Sequence, residues 1–284
     1  MQVRARIEKA SKDLTAAERK LSTALLSDYP FAGLEPIQVL AERTKVSSPS
    51  ISRFVNKLGF QGYQEFQRQL IDEMKEGQRS PVQVHGSGRP IHGEFLEDFM
   101  ARATELMSAS TQAITGAQFD RVCDYFIDKK RSIYVLGGRF SNSIAQHFSG
   151  HLRLSRADVF HLPTDPEVWP EYLLRMKPRD ILFLVDFRRY QPNLVHLAKR
   201  ASEKHGVQIV LVTDKWLSPA SKHAAEVLAV PIESGTVWDS YAPALALMEA
   251  MLTRIAEDNW EDTRKRIEAW DDARLPVEEP QDDR

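Results

Sequence analysis

The pattern of apolar and polar positions changes near residue 80. Before it, apolar residues recur with helical period between polar caps, and no run alternates as a strand would. Thr15 and Glu18 have capping-box spacing and open a helix expected to turn Leu21, Ala24 and Leu25 inward. Asp28-Tyr29-Pro30 reads as the turn that ends it. Pro36 suits a first helical position ahead of Ile37, Val39, Leu40 and Ala41. Ser47 is placed to cap a third helix carrying Ile51, Phe54, Val55 and Leu58, which Gly59 closes. Residues 77–93 mix Gly, Pro, Ser and charge without period, the texture of a linker. A long helix is expected over about Glu94 to Thr115.

Beyond Ser132 strands and helices alternate. Strands are expected at Ile133–Leu136, Asp158–Leu162, Ile181–Val185, Gln208–Thr213 and Glu226–Pro231. Helices are expected at Ser141–Leu154, Pro192–His205 and Asp239–Asp258. Such an order predicts a doubly wound parallel α/β sheet behind an all-α front. The expected division is a helical domain over 1–76, a linker over 77–93, an α/β domain over 94–260 and a charged tail over 261–284. That tail reads as a helix fraying into disorder, apart from Ile267, Trp270 and Leu275.

Bulk composition changes this picture little. With 42% hydrophobic and 27% charged residues the chain is ordinary for a globular protein. No stretch approaches the apolar length of a membrane helix, and no signal-peptide pattern is present. A single cysteine, Cys123, excludes an internal disulfide and points to a reducing cytoplasm. Residues 1–80 hold 13 Lys/Arg against 10 Asp/Glu, a mildly basic balance compatible with nucleic acid.

The candidate chemistry lies in two places. Residues 37–60, IQVLAERTKVSSPSISRFVNKLGF, have the helix, short turn and helix of a helix-turn-helix. A reading helix needs short polar side chains in its first turn for base edges, with cations nearby for phosphates. Ser47, Ser48 and Ser50 fill that turn, Arg53 and Lys57 follow one and two turns on, and Arg43 and Lys45 flank the approach. The bland alternative is a helical interaction domain whose serines are only caps.

The run Val46-Ser47, Ser50-Ile51, Arg53-Phe54, Lys57-Leu58-Gly59-Phe60, Gly62-Tyr63 and Glu65-Phe66 resembles the N-terminal domain of RpiR/MurR bacterial transcriptional regulators. That resemblance implies DNA binding and a sugar-isomerase (SIS) domain behind the linker. SIS domains hold phosphosugars at a strand-to-helix turn, where free N–H groups and the helix dipole favour an anion. Gly137 matches the family's first glycine, Arg139 replaces the second, and Ser141 and Ser143 stand at the helix start.

After the third strand the family pattern is a Ser-x-Ser-Gly-x-Thr type loop. This chain has Asp186-Phe187-Arg188-Arg189-Tyr190-Gln191. Arg139, Arg188 and Arg189 form a rebuilt anion clamp, or pair with acidic residues and fill the pocket, or simply face solvent. The first of these is the favoured expectation. Ser240 and Tyr241 open the last long helix and are placed to face the same pocket, although Tyr241 also suits the core.

The expected protein is therefore a cytoplasmic regulator that uses no cofactor or metal. Its expected partners are an operator in double-stranded DNA, a small anionic effector (a sugar phosphate or a carboxylate) and further copies of itself in a homodimer or homotetramer, with no membrane. Trp169, Trp216, Trp238 and Trp260 are candidate interface anchors. An isomerase with a helical extension is the alternative, with His147, His151, His161 and Glu233 as possible bases. No metal cluster, nucleophile elbow or P-loop supports it. A ligand-independent DNA-binding oligomer is the third reading.

Overall fold

The computed structural model describes residues 3–89, 91 and 93–274. The front is a bundle of α1 (Val3–Ala10), α2 (Ala16–Ser27), short α3 (Phe31–Leu34), α4 (Ile37–Thr44), α5 (Ser48–Lys57) and α6 (Tyr63–Glu76). The capping box is present in full: Thr15 accepts from the Glu18 N–H, and the Glu18 carboxylate accepts from the Thr15 N–H. Ile7, Leu21, Leu40, Phe54, Phe66 and Leu70 are sealed in one core. Gly33 allows α3 to touch α6, since a Cβ there would lie 2.4 Å from Leu70 Cδ1. Lys45 makes the turn between α4 and α5 in the left-handed conformation, φ 55°, its N–H donating back to Ala41.

Residues 77–93, expected as a structureless linker, carry a further helix, α7 (Pro81–Ser87). Ser80 and Gln83 form a second capping box there, and Pro81 stands at the first helical position, where its missing N–H costs nothing. Its start signal was in the sequence; the absence of apolar period hid it.

The rear opens with α8 (Phe95–Ala113) and α9 (Gly116–Ile127). It continues β1 (Ile133–Gly137), α10 (Asn142–Ser155), β2 (Val159–His161), α11 (Trp169–Leu173), β3 (Ile181–Val185), α12 (Pro192–His205), β4 (Gln208–Thr213), β5 (Glu226–Ala229), α13 (Ala242–Asp258) and α14 (Trp260–Ala273). All five strands are parallel, in the order β2-β1-β3-β4-β5. As the third strand of five, β3 has ladders on both sides, Phe183 pairing with Val135 and Val210. Its two faces are both covered. Ile181, Phe183 and Val185 pack with Phe126, Phe148 and Met248, while Leu182 and Leu184 pack with Tyr134, Leu194 and Leu197. Burial on both faces is why the strand reads as an unbroken apolar run.

The chain runs from β1 to β2 on one side, then to β3 on the other. That reversal opens a crevice at the carboxyl ends of β1 and β3. Of the tail expected over 261–284, residues through Ala273 continue α14 as a helix, and residues 275–284, including Leu275, lie outside the described residues. Trp169 and Trp216 are buried within the chain, whereas Trp238 and Trp260 are exposed.

Front and rear are packed together. Leu217 is buried in the front domain's core, with Val227 and Ala229 of β5 against it. Lys222 Nζ sits 3.4 Å over the Phe31 ring and 3.2 Å from the Asp28 carboxylate.

Candidate functional sites at the reading helix and the strand ends

The first site is the start of α5. Ile51, Phe54 and Val55 hold one side of the helix in the core, so the other side faces solvent. There Ser47 Oγ lies 3.0 Å from Ser50 Oγ, which also accepts from Arg53 Nη2 at 3.0 Å. Ser47, Ser50 and Arg53 thus form one polar line along the exposed side. Ser48 is half-buried beside it and Lys45 is exposed just before it.

The other two cations of the sequence reading are engaged within the domain. Arg43 pairs with Asp28 at 3.0 Å and Glu35 at 3.1 Å. Lys57 donates to the Asp13 carbonyl at 2.7 Å and pairs with Glu18 at 3.0 Å, fastening the end of α5 to the start of α2. Lys45 and Arg53 form no ion pair among the described residues. Both are exposed beside the serines at the start of α5.

The second site is the crevice. Gly137 is required there by close approach, because a Cβ would sit 2.5 Å from the Asn142 backbone. The Gly138 N–H and the Ser141 hydroxyl both donate to the Val185 carbonyl, at 2.8 and 2.6 Å. Ser141 is thus a buried tie between two loops. Ser143 donates to the Phe140 carbonyl at 2.9 Å, and Ser240 accepts from the Ala242 N–H at 3.4 Å. Arg139 is exposed, 5.0 Å over the Phe140 ring.

The loop after β3 is organised by two buried aspartates. Asp186 accepts from the Ser218 hydroxyl at 2.5 Å and the Gln191 N–H at 3.4 Å. Burial outweighs these bonds and pushes its carboxyl up to about 7. Asp214, at the end of β4, accepts from the Tyr190 phenol and the Arg188 N–H, both at 2.6 Å, and from the Trp216 N–H at 3.0 Å. Burial lifts it too, to about 6.

These contacts separate the three arginines. Arg188 Nε lies 2.9 Å from the Asp239 carboxylate without hydrogen-bond alignment, and its guanidinium stacks 4.3 Å over Trp216. Glu233, itself paired with Lys215, is 4.0 Å from Arg188. Arg189 takes φ 66°, and its side chain is exposed. Arg139 and Arg189 have no carboxylate partner among the described residues, whereas Arg188 is neutralised from within. Asp214, Tyr190 and Asp239 were missed as site residues. Their partners lie two dozen or more positions away, a distance that periodicity cannot register.

Between Gly138–Ser141 and Asp186–Arg189 a cavity of about 230 Å³ remains, closed at one side by Gln191 and Tyr241. Tyr241 stacks on Phe187 with ring centres 5.0 Å apart, so it is both wall and core. A wider surface groove of about 640 Å³ lies between α11 and α12, away from the glycine turn. His147 and His151 face each other along α10, and His161 meets Asn142 Oδ1 at 3.0 Å. None of these, nor Glu233, lines the strand-end cavity. No group of three His, Cys, Asp or Glu among the described residues is arranged to hold a metal ion.

The family model "Helix-turn-helix domain, rpiR family" matches residues 1–77, and the SIS domain model matches 126–254. The HTH-type transcriptional regulator HexR of Pseudomonas aeruginosa is 24% identical over 289 residues, covering 98% of this chain and 97% of its own. Among solved structures, the sugar isomerase domain of an RpiR transcription factor from Sphaerobacter thermophilus superposes with a TM-score of 0.58 at 18% identity. It covers 63% of this chain and 99% of its own. The Vibrio vulnificus NanR protein complexed with ManNAc-6P covers 95% of this chain and 97% of its own, with a TM-score of 0.53 at 15% identity. The chain thus joins a helix-turn-helix domain that matches the rpiR family model to a parallel-sheet domain that matches the SIS model, and over nearly its whole length it is similar to HTH-type transcriptional regulators.

Proposed function

We propose that this protein is a sequence-specific DNA-binding regulator in the cytoplasm, whose SIS domain senses a small anionic metabolite and has no catalytic role. The observation that carries the DNA half is the line Ser47–Ser50–Arg53 with Lys45 beside it. It puts hydroxyls and an unpaired guanidinium on the first turns of an exposed helix. Arginine is the side chain best suited to guanine in a major groove, and a nearby lysine suits phosphate.

Self-association belongs to the same reading, because paired reading helices match an operator of twofold symmetry. Supporting it, Phe95, Leu96 and Met100 leave an exposed apolar strip on α8, whose only fully buried residue is Ala103. The effector half is supported by Arg139 and Arg189 beside a cavity at the sheet's switch point.

The test is selection of bound sequences from random DNA with the full chain, followed by binding in rising salt. A recovered palindromic site, with affinity falling steeply in salt, is the expected result. Recovery of no enriched site overturns the DNA reading.

A further inference from the structure

The segment 77–89 is not free to swing. At its front, the Gly77 carbonyl accepts from the Arg189 N–H at 2.9 Å, and at its rear the Arg89 N–H donates to the Gly235 carbonyl at 2.8 Å. Arg102 reinforces the rear tie, donating to the Arg89 carbonyl at 2.8 Å and the Ser234 carbonyl at 3.3 Å. Between these anchors α7 arches over the strand-end loops and encloses a second chamber of about 370 Å³.

Its walls differ from those of the first cavity. Pro81 and Val84 of α7 face Val237 and Trp238, so most of the lining is apolar. Phe140, Arg188, Arg189 and Tyr241 are common to both chambers, and Arg139 belongs to the inner one alone. Phe140 and Trp238 are 59% and 65% exposed, large aromatic surfaces open to a ligand. The unpaired guanidinium of Arg189 thus stands where a polar chamber meets an apolar one, with Arg139 behind it in the polar chamber. A wholly hydroxylated ligand would leave the apolar half unused, and the loop after β3 offers it no serine, threonine or glycine. An anion with an aromatic or other apolar group would use both.

We infer that the two chambers are one effector site for an amphipathic anion, its charged end at Arg139 and Arg189 and its apolar group beneath α7 against Val84 and Trp238. The inference rests on reading the strand-end cavity as an effector site, and it narrows the class of ligand. It also makes residues of the connecting segment direct ligand contacts, so that occupancy bears on the part of the chain that joins reading head to sheet.

The test is calorimetric titration of the full-length protein with phenyl phosphate, inorganic phosphate and glucose 6-phosphate. Phenyl phosphate is expected to bind at least about tenfold tighter than the other two. Val84→Asp and Trp238→Ala are expected to erase that preference. Arg189→Ala is expected to weaken all three ligands. Circular dichroism and melting of each variant establish that it is folded.

Equal binding of the three overturns the inference, as does a preference for glucose 6-phosphate or no binding of phenyl phosphate. A phenyl preference that survives both Val84→Asp and Trp238→Ala also overturns it. Specific DNA binding measured in parallel bears on the regulator reading alone, so the two failures are told apart.

Discussion

The main-chain N–H of Arg189 reaches 2.9 Å to the carbonyl of Gly77, joining the loop after β3 to the cap of α6. Gly77 fits because it has no side chain. A Cβ there would stand 3.0 Å from the Tyr190 hydroxyl and 3.2 Å from Trp216 Cβ. Gly77→Val is expected to push the front domain off this loop and to cost about 1–3 kcal/mol. Thermal melting reads the loss, and hydrogen exchange at residues 77–79 locates it.

Arg53→Ala is expected to lower affinity for the selected site by about 1–3 kcal/mol and to relax its sequence preference. Lys57→Ala provides the contrast. Its side chain is 40% exposed and spent on Asp13 and Glu18, so it is expected to cost no more than about 1 kcal/mol of stability. Retained specificity in the first variant would falsify the assignment of α5 as the reading helix.

Asp186 makes stability depend on pH in a defined direction. Its folded pKa, about 7, lies above the unfolded carboxylate value of about 3.9. The stability associated with its protonated form is complete below the unfolded pKa and is lost as pH rises through about 7. Ser218, Gln191 and Asp214 are the groups that face it, and Asp214 shifts in the same direction. Asp186→Asn is expected to raise the melting temperature near pH 8 and to change it little near pH 5. A uniform shift across the range would count against the carboxyl as the source.

Leu96→Asp together with Met100→Asp puts charge on the exposed strip of α8. The expected outcome is monomeric protein in light scattering, with the fold intact. An unchanged assembly size would place the contact between copies elsewhere.

Phe183→Ala empties the centre of the sheet, where Phe126 and Phe148 pack at ring distances of 5.5 and 4.6 Å. A loss of about 3–5 kcal/mol is expected, read from denaturant unfolding. A negligible loss would mean that the surrounding helices close over the gap.

What the sequence disclosed, it disclosed through local pattern. Ile181–Val185 read as a strand because burial on both faces removes any alternation, and Thr15 with Glu18 announced a helix through three residues of spacing. The serine-rich first turn of α5 was legible for the same reason. The roles of Arg43 and Lys57 were not, since what decides them is a carboxylate on another helix. Nor could periodicity reveal that Arg188 is neutralised by Asp239, or that β5 supplies a docking face. Those facts belong to tertiary contacts between distant positions.

Leu217 bears on how the proposed paired assembly would span an operator. It belongs to the loop after β4 yet is 4% exposed within the front domain's core. Swinging a head away to suit a different half-site spacing would return this side chain to water, at roughly 1.5–3 kcal/mol for a residue of its size. At about 1.4 kcal/mol per decade, the undocked arrangement is scarcer by a factor of roughly ten to a hundred or more. In the twofold assembly proposed above, the docked heads would act as a ruler. Operators whose half-sites match them would be favoured before any base is read, and insertions between half-sites would be penalised by the withdrawal of Leu217.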